Sequence, residues 1–533
     1  MSSRPIKSGG VYRAAGRVLN EERAIYKNWG GRLPIALVYP NTYYLGMSNL
    51  GIHAIYQLLN SFNDIVCERV FLEKNDVLPI SLESGRPLTD FAVIAFSISY
   101  EMDYFNAAAM LRNAGIPLLT RDRDETHPLV IGGGPCITAN PMPVAPMFDC
   151  FGIGEAEALF PLLLPVLAEG ISGDRNTLLE ALSKVPGLYV PSIPPDKPVV
   201  RQWVKDFDTR PAASVVLTRE TELGDLYLIE AERGCQRGCR FCLVNGAFSP
   251  MRFHSASSIL EQAGEGLHYR GRVGLVGPAV TDHPEILDII DGVIDLGGEI
   301  SVSSLRISSL SDDIIAALAK AGTRTLTIAP EAGSQRLRDV IDKKITEDDI
   351  FRTVESIARH DFTNLKLYFI IGLPTETDAD IEDMMQLVKA MKERLGGRTR
   401  LTVNAGPFVP KAGTPFQWLP MAPQEDLARR LKMLKDGLSV KGVKVNDESP
   451  AWSLVQGVLS RGDERLTPAI TGTHKLTMAS WRKAVEEHHL DIDHYVNQKW
   501  DTTAPLPWSA VEGGTRTERL CAGLEKAVGE NHA

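Results

Sequence analysis

The sequence predicts an α/β protein built from two successive strand–helix domains and a helical C-terminal domain. Across residues 34–190, continuous apolar runs alternate with helical stretches, which is typical of a parallel, doubly wound, Rossmann-like sheet covered on both faces. Across residues 226–420, six further strand–helix units favour an open, partial (β/α)6 barrel. The remaining predicted parts are an N-terminal leader at 1–33, a proline-rich linker at 191–225 and the helical domain at 421–533.

The composition is that of an ordinary globular protein. The 533 residues are 44% hydrophobic and 23% charged, and 57 basic against 67 acidic residues give a net charge of −10. This balance argues against a general nucleic-acid or anionic-membrane binder. No apolar run reaches the roughly 18 residues of a membrane-spanning helix, and the polar start has no secretory pattern. Seven cysteines are too few for a disulfide scaffold in so long a chain. We therefore expect a cytoplasmic protein.

The leader contains seven basic residues and little apolar periodicity, so we expect a helix or a strap over the surface. In the first domain, glycines, polar groups and aromatic rings follow the predicted strands. These residues are Tyr43 and Tyr44, Tyr100 and Glu101, Gly132, Gly133 and Gly134, and Gly154 and Glu155. Ligands of doubly wound sheets bind at the carboxyl ends of the strands. The pattern predicts a ligand site there, although turns that serve only the fold are an alternative.

A cysteine-rich loop follows the first strand of the second domain. Its cysteines, in the spacing C-x3-C-x2-C, are Cys235, Cys239 and Cys242. Three thiolates within eight residues can converge on one inorganic cluster and leave the fourth iron of a [4Fe–4S] cube without a protein ligand. Such a cluster is net negative, and we expect Arg233, Arg237 and Arg240 to surround it. The other cysteines near the N-terminus, Cys67, Cys136 and Cys150, are predicted to be buried small side chains.

Helix signals are clear in the second domain and beyond it. Asp282 with Glu285 resembles a capping box, and Thr346 and Thr377 each precede an apolar stripe. In the C-terminal domain, leucines from Leu427 to Leu438 recur at helical spacing.

The cysteine loop followed by strand–helix repeats resembles the radical S-adenosylmethionine (SAM) superfamily over roughly residues 226–420. This resemblance implies that the three cysteines ligate a [4Fe–4S] cluster and that the amino and carboxylate groups of SAM chelate its open iron. It further implies that Phe241 lies against the adenine. Residues in matching strand-end motifs are implied to hold the ribose and methionine parts of SAM; they are Ser303, Ser304, Arg306 and Glu331. Gly372 and Pro374 belong to a motif that the resemblance places near the adenine.

One segment departs from the pattern of this superfamily. The Gly-Gly-Glu sequence usual after the second strand is replaced by Gly277-Pro278-Ala279-Val280-Thr281-Asp282. The resemblance therefore assigns only Thr281 to the contact with the amino group of SAM.

The first domain resembles the cobalamin-binding domain that is fused to one branch of this superfamily. The matching parts are Gly132-Gly133-Gly134-Pro135, and Asp149 followed by Gly154-Glu155-Ala156-Glu157. A D-x-H-x-x-G motif is absent from the sequence, so no histidine is expected below the cobalt. Tyr43, Tyr44, Tyr100 or Glu101 are expected to crowd that face instead, and Tyr100 and Glu101 are the predicted catalytic residues.

This arrangement of domains implies a cobalamin-dependent radical SAM C-methyltransferase that uses methylcobalamin and an electron donor such as ferredoxin or flavodoxin. Two other enzymes remain open: a methylthiotransferase with an auxiliary cluster at Cys67, Cys136 and Cys150, and a cobalamin enzyme that performs a rearrangement. A corrinoid- or cluster-binding protein without turnover is a third alternative. Relatives act on peptides, proteins, antibiotics and lipids. One methylates a glutamine of methyl-coenzyme M reductase, which favours a protein or peptide substrate.

Overall fold

A computed structural model describes residues 10–14, 17–73, 77–303, 305–439 and 442–529. The leader begins with an antiparallel hairpin of β1 (Gly10–Ala14) and β2 (Arg17–Glu21). An irregular segment leads from this hairpin to the first domain. The described part of the leader contains no helix, so the helical alternative is wrong for these residues.

The N-terminal domain is a doubly wound sheet, as predicted. Its strands are β3 (Leu33–Tyr39), β4 (Ile65–Phe71), β5 (Val93–Ser97), β6 (Leu129–Gly133), β7 (Cys150–Gly152) and β8 (Leu188–Tyr189). Its helices are α1 (Tyr43–Gly46), α2 (Leu50–Ser61), α3 (Asp103–Asn113), α4 (Pro135–Ala139), α5 (Ala156–Gly170) and α6 (Arg175–Ser183). The strand order is β4-β3-β5-β6-β7-β8, and only β8 runs antiparallel to its neighbour. Because the winding direction reverses between β3 and β5, a crevice opens at the carboxyl ends of these strands.

The apolar runs of this sheet are continuous because both of its faces are covered. In β3, Ala36 and Val38 pack into the core on one face, whereas Ile35 and Leu37 pack into the core on the other. A strand buried on both sides has no solvent-facing positions, and its sequence therefore lacks the alternation of a half-buried strand.

The second domain is an open barrel. After β9 (Val199–Val200) in the linker, its strands are β10 (Tyr227–Glu230), β11 (Glu232–Arg233), β12 (Arg252–Phe253), β13 (Arg272–Val276), β14 (Glu299–Val302), β15 (Thr325–Glu331), β16 (Asn364–Ile371), β17 (Arg400–Pro407) and β18 (Lys444–Asp447). Its helices are α7 (Val244–Phe248), α8 (Ala256–Leu267), α9 (Ile286–Asp295), α10 (Asp312–Lys320), α11 (Gln335–Val340), α12 (Glu347–Ala358), α13 (Asp378–Leu395) and α14 (Gln424–Ser439). The parallel sheets β10-β13-β14 and β15-β16-β17-β18 meet at a bridge between Leu305 and Ile328.

One strand of the barrel lies where only helices are predicted. β18 pairs in parallel with β17, with Val445 opposite Val403, so the barrel sheet continues past residue 420. The prediction of an all-helical region was wrong here because β18 (Lys-Val-Asn-Asp) is short and mostly polar, and it gives no strand signal. The preceding helix α14 buries its leucines as predicted.

The barrel strands alternate between a buried outer face and an accessible inner face. In β16, Leu365 and Leu367 are fully buried under the helices, whereas Lys366 is exposed and Tyr368 is 46% exposed. The interior of the barrel is therefore open and polar.

The C-terminal region packs against both domains. It contains α15 (Pro450–Arg461), α16 (Thr467–Gly472), α17 (Met478–Glu487), α18 (Asp493–Val496), β19 (Val511–Glu512) and α19 (Thr517–Gly529). Trp481 of α17 packs edge-on against Phe105 of α3, and β19 pairs with β9. In the described parts of the chain, no helix has both the length and the apolar character needed to cross a bilayer.

Candidate functional site

A cavity of about 570 Å³ lies between the N-terminal sheet and the segment that leads into the cysteine loop. On one side it is lined by the ends of β6 and β7, including Gly132, Gly133 and Gly134. On the other side it is lined by Glu232 and Arg233 of β11. Apolar side chains of α2 and α5 complete much of its wall. The strand ends that were predicted to bind a ligand therefore face the loop that was predicted to bind a metal cluster.

Glycine occupies different positions around this cavity for different physical reasons. Gly134 and Gly154 have φ angles of +110° and +126°, and a Cβ at either position would overlap a backbone carbonyl. Gly133 is different, because a Cβ there would meet nothing closer than the carbonyl oxygen of Gly152 at 3.9 Å. The backbone can therefore accept a side chain at Gly133, where the missing side chain leaves room in the cavity.

The structure does not bring the predicted tyrosines to the cavity wall. The Tyr43 hydroxyl donates a hydrogen bond to Glu21 at 2.6 Å, and its ring packs edge-on against Phe71. Tyr44 is 46% exposed, and neither ring lines the cavity. The short helix α1 directs Tyr43 toward the leader, a tertiary contact that the local sequence does not reveal.

Glu101 joins three parts of the molecule. Its carboxylate accepts hydrogen bonds from Lys411 at 2.5 Å, in the loop after β17, and from Gln456 of α15 at 2.9 Å. Burial alone would raise the pKa of Glu101, but the Lys411 charge and these hydrogen bonds lower it below its usual value. Glu101 is therefore an ionised brace between domains, and it does not line the cavity.

Tyr100 lies beside this brace. It is 44% exposed and does not line the cavity either. Burial and then the charge of Glu448, just beyond β18, raise the pKa of Tyr100 to about 12. Its hydroxyl is therefore neutral at physiological pH and lies on the side of the N-terminal domain that faces β18.

Glu155 is the centre of a second brace between the domains. It forms ion pairs with Arg252 at 2.5 Å, Arg233 at 3.0 Å and Arg201 at 3.6 Å. Burial opposes ionisation of this carboxyl, but hydrogen bonding to Arg252 and the Arg233 charge lower its pKa overall. The sequence predicts Glu155 as a cofactor-binding residue. In the structure it lines the cavity, yet its carboxylate is engaged by arginines of the linker and barrel.

The cysteine loop is held in a tight path between β11 and α7. Gly234 has a φ angle of +86°, and a Cβ there would lie 2.5 Å from the carbonyl oxygen of Phe248. Arg240 donates hydrogen bonds to the carbonyl oxygens of Asp339 and Val340, which fixes the loop to the end of α11. The loop geometry is thus set by backbone contacts that only these residue types allow.

The three thiols suit a cluster better than a single metal ion. Cys239 is buried, and the other two are partly buried. Within the described residues, no three His, Cys, Asp or Glu side chains converge closely enough to hold one metal ion. An iron–sulfur cube spreads its cysteine ligands further apart than a single ion does, and an all-thiolate donor set is the one it requires. Burial raises the pKa of Cys242 to about 12, so iron would have to displace a proton on binding.

The cations near the thiols differ from the predicted set. Arg233 is engaged by glutamates and Arg240 by carbonyl groups, and their place around the cluster stays a prediction. Arg237 donates its backbone N–H to the Cys235 sulfur at 3.4 Å, and Arg306 Nη1 lies 3.9 Å from the same sulfur. Lys343, which no sequence motif singles out, contributes positive charge near Cys239.

The residues predicted for the methionine part of SAM lie around these cations. Lys343 pairs with Glu331 at 2.9 Å, and Glu331 has an unusual φ of +68° at a bulge in β15. The Thr281 hydroxyl accepts hydrogen bonds from Arg306 N at 2.9 Å and from Ser309 at 3.0 Å, so it connects the segment after β13 to the segment after β14. Ser303 is exposed and donates to the Gly277 carbonyl. Ser304 lies outside the described residues.

The predicted adenine-binding residues are also brought together. Phe241 packs against the apolar core that contains Leu373, in the turn from Gly372 to Pro374. Gly372 has a φ of +79°, and its N–H donates to Glu376 at 2.7 Å. An aromatic ring of the cysteine loop and a glycine turn thus border the same apolar core.

Asp282 has a different role from the predicted one. It was expected to cap α9 together with Glu285, but the N-cap of that helix makes no side-chain capping bond. The Asp282 carboxylate instead lies 3.2 Å from Arg237 and 3.5 Å from Arg306. It is therefore part of the site next to Cys235.

Comparisons with known families agree with this geometry. The family model described as radical SAM proteins, N-terminal, matches residues 51–191, and the radical SAM superfamily model matches residues 229–388. The chain belongs to the radical SAM superfamily. It is 31% identical over 438 residues to an uncharacterised protein of Methanocaldococcus jannaschii, and the aligned region covers 81% of this chain and 89% of that protein.

More distant relatives carry functional names. An uncharacterised methyltransferase of Pyrococcus horikoshii is 26% identical over 49% of this chain and 58% of its own length. A tRNA-2-methylthio-N(6)-dimethylallyladenosine synthase of Anaplasma phagocytophilum is 25% identical over 44% of this chain and 54% of its own length. Among solved structures, the cobalamin-dependent SAM radical enzyme OxsB with aqua-cobalamin bound matches with a TM-score of 0.50 and 11% identity, over 94% of this chain and 80% of that one. This last similarity is one of fold.

Proposed function

We propose that this radical SAM protein is a cobalamin-dependent methyltransferase that places a methyl group on an unactivated carbon of a protein or peptide. The observation that carries the proposal is the cavity that joins glycine-rich strand ends of a doubly wound domain to the cysteine loop. The fold similarity to OxsB, a cobalamin-dependent enzyme, supports the same assignment.

The chemistry of the cavity suits a corrinoid. Its wall is mostly apolar, and the glycines at Gly132–Gly134 allow a large flat ligand to approach the backbone closely. None of the described residues that line it is a histidine. His53 is buried elsewhere, where its Nδ1 accepts a hydrogen bond from Val215 N at 3.1 Å. A corrinoid would therefore be held here without an imidazole ligand from the protein, as the missing motif suggests.

The donor set beside the cavity suits the other two cofactors. Cys235, Cys239 and Cys242 would hold a [4Fe–4S] cluster, and Arg306 and Lys343 place positive charge beside it. Phe241 and the Gly372–Pro374 turn would hold the adenine of SAM. When bound, these cofactors supply hydrogen abstraction from an unactivated carbon and a methyl group for transfer.

The remaining residues position and enclose these groups. The braces centred on Glu101 and Glu155 hold the N-terminal domain against the barrel, and the apolar wall excludes water. Tyr100, whose neutral hydroxyl lies toward β18, is proposed to contact the substrate. Glu101 is proposed to act through Lys411 as a positioning residue. An electron donor such as ferredoxin or flavodoxin would reduce the cluster.

A polar barrel interior supports a protein or peptide substrate. Lys366 and Tyr368 of β16 point to the accessible face, and Asn446 of β18 donates to Asn404 of β17 at 2.9 Å. Charged, phenolic and amide groups of this kind can bind the amides of an extended chain.

The methylthiotransferase alternative is supported by the similarity to tRNA-modifying enzymes. It would require Cys67, Cys136 and Cys150 to bind an auxiliary cluster. However, Cys67 and Cys150 are buried in the core on one face of the N-terminal sheet, and Cys136 is buried in the core on the other. Three thiols divided between two faces of a sheet cannot bind one cluster in this fold. We therefore favour the methyltransferase.

The test is a product analysis of the protein reconstituted with iron, sulfide and cobalamin. It would be incubated with a reductant, SAM and protein extract from a strain that lacks the gene. Methyl transfer predicts 5′-deoxyadenosine and S-adenosylhomocysteine together, plus one protein that gains a methyl group in the mass spectrum. Formation of 5′-deoxyadenosine alone would indicate a rearrangement, and neither product would indicate a binding protein. Either result would overturn the proposal.

A further inference from the structure

In the part of the chain that the structure describes, two buried carboxylates beside the cysteine loop each have an oxygen atom without a hydrogen bond. Glu232 is 1% exposed, and within the described residues its Oε2 has no hydrogen-bonding partner. The side chain of Asp282 is 3% exposed, and its Oδ1 likewise has none among those residues. Burying a carboxylate oxygen without a partner is costly, so each such atom requires an explanation, such as strain, a bound water, an ion or ligand, or a role in catalysis.

The second oxygen of each carboxylate is fixed by the protein. Glu232 Oε1 accepts the backbone N–H of Ala279, and a Cβ at Gly277 would overlap the Glu232 side chain. Asp282 Oδ2 lies 3.2 Å from Arg237 Nε and 3.5 Å from Arg306 Nε. Each side chain is therefore anchored on one oxygen, and the other oxygen stays available to a ligand.

The surroundings of Glu232 favour a positively charged ligand. Burial, with a further contribution from the Asp282 charge, raises the pKa of Glu232 to about 7; the hydrogen bond from Ala279 N–H and the Arg306 charge only partly offset this effect. A cation that bound between the two carboxylates would relieve both their repulsion and their desolvation. Glu232, Gly277 and Pro278 also line the cavity, so a ligand can reach this position.

These residues lie at the segment that departs from the superfamily pattern. Gly277–Asp282 replaces the Gly-Gly-Glu sequence, so the glutamate that usually follows the second strand is missing here. Thr281 does not compensate for it, because its hydroxyl already accepts hydrogen bonds from Arg306 N and from the Ser309 hydroxyl, in the segment after β14. The Glu232 side chain instead extends from β11 over this segment.

We propose that Glu232 and Asp282 together bind the α-ammonium group of SAM, in place of the missing glutamate. An ammonium group has three hydrogen-bond donors, and Glu232 Oε2 and Asp282 Oδ1 offer two charged acceptors. The position next to Cys235, whose sulfur Arg306 also approaches, suits the methionine end of a ligand that chelates the cluster. This inference rests on the proposed function, because it requires SAM to bind at the cysteine loop.

The inference is tested by measuring SAM affinity calorimetrically, without turnover, on the anaerobically reconstituted protein. Glu232→Gln and Asp282→Asn remove charge with little change in shape, and the amide oxygen of the Glu232→Gln variant could still accept the Ala279 N–H. Each substitution is expected to weaken SAM binding at least about tenfold, because a charge-assisted hydrogen bond is lost. Decarboxylated SAM keeps the ammonium group, so each substitution should weaken its binding, relative to the wild type, by the same factor as it weakens the binding of SAM. Methylthioadenosine, which lacks the amino-acid part, should bind wild type and variants equally.

Matched controls are Glu261→Gln on α8 and Asp288→Asn on α9, both exposed carboxylates of the same domain, and both should bind SAM as the wild type does. Iron content should be unchanged in all four variants. Wild-type SAM affinity in Glu232→Gln and Asp282→Asn would overturn the inference and leave the proposed function standing. Equal losses for SAM and methylthioadenosine would also overturn it, because the ammonium group would not be the cause. Absence of SAM binding to the wild-type protein would instead overturn the proposed function itself.

Discussion

Polar side chains at the strand ends serve different purposes in the two α/β domains. In the N-terminal domain, Tyr43 is engaged by Glu21, Glu101 by Lys411 and Glu155 by three arginines. The cavity of that domain is lined mainly by glycines and apolar groups. Beside the cysteine loop, in contrast, buried carboxylate oxygens remain without a partner among the described residues.

The difference shows that a polar residue at a strand end is not by itself a ligand-binding residue. A buried polar group whose hydrogen bonds are satisfied within the protein stabilises the fold, whereas one with an unsatisfied atom points to a ligand. Around the cavity, the N-terminal strand ends therefore contribute shape, whereas Glu232 and Asp282 contribute oxygen atoms that can bind a ligand. Substitutions in the two domains test this contrast, from the largest expected effect to the smallest.

The largest effect is expected at the cysteines. Cys239→Ala removes one of the three ligands of the proposed cluster, so iron should fall from about four atoms per chain to nearly none, with loss of SAM cleavage. Cys67→Ala, in the core of the N-terminal sheet, should keep its iron. A full iron complement in Cys239→Ala would show that the loop does not hold the cluster.

The next largest effect is expected for the Glu155 brace. Glu155→Ala leaves buried arginines without their common carboxylate and should lower the free energy of unfolding by roughly 3–5 kcal/mol. Glu157→Ala, at a side chain that is 34% exposed and pairs with Arg233 alone among the described residues, should cost roughly 1 kcal/mol or less. Urea unfolding measures both. If the two variants lost equal stability, the buried ion pairs of Glu155 would stabilise the fold no more than the exposed pair of Glu157 does.

A smaller, pH-dependent effect is expected at His53. Burial lowers its pKa to about 4; the Met47 carbonyl and Glu21 raise it, and Arg69 lowers it. The folded protein therefore favours the neutral imidazole. The contribution of His53 to the free energy of unfolding is complete above about pH 6.5, and it falls by on the order of 3 kcal/mol as the pH drops toward 4. The unfolding free energy should fall less steeply over this range in His53→Gln, which can donate to Met47 and accept from Val215. Identical slopes would mean that His53 titrates normally in the folded protein.

The smallest effect is expected at Tyr43. Tyr43→Phe removes the hydrogen bond to Glu21 and should lower stability by about 1 kcal/mol while leaving corrinoid affinity unchanged. Absorbance titration with cobalamin measures the affinity. A tenfold weaker cobalamin affinity would show that Tyr43 contributes to the ligand site, and it would contradict the contrast between the two domains.

The sequence predicts local features well and side-chain partners poorly. The apolar runs of β3 and β5 and the cysteine spacing are local patterns, and they were interpreted correctly as strands and a tight loop. Arg252 and Arg233 lie 97 and 78 residues from Glu155 in the sequence, and no local pattern shows such contacts. Likewise, Asp282 has the sequence context of a helix cap, and only the fold places Arg237 and Arg306 beside it.

The most direct test of the central claim is the corrinoid content of a variant that fills the cavity. Gly133→Leu adds a side chain where the backbone leaves room for one, and Gly133→Ala adds only a methyl group. After reconstitution, the wild type and Gly133→Ala should carry about one corrinoid per chain, and Gly133→Leu less than a tenth of that, all with equal iron. Equal corrinoid content in Gly133→Leu and the wild type would show that this cavity does not bind cobalamin.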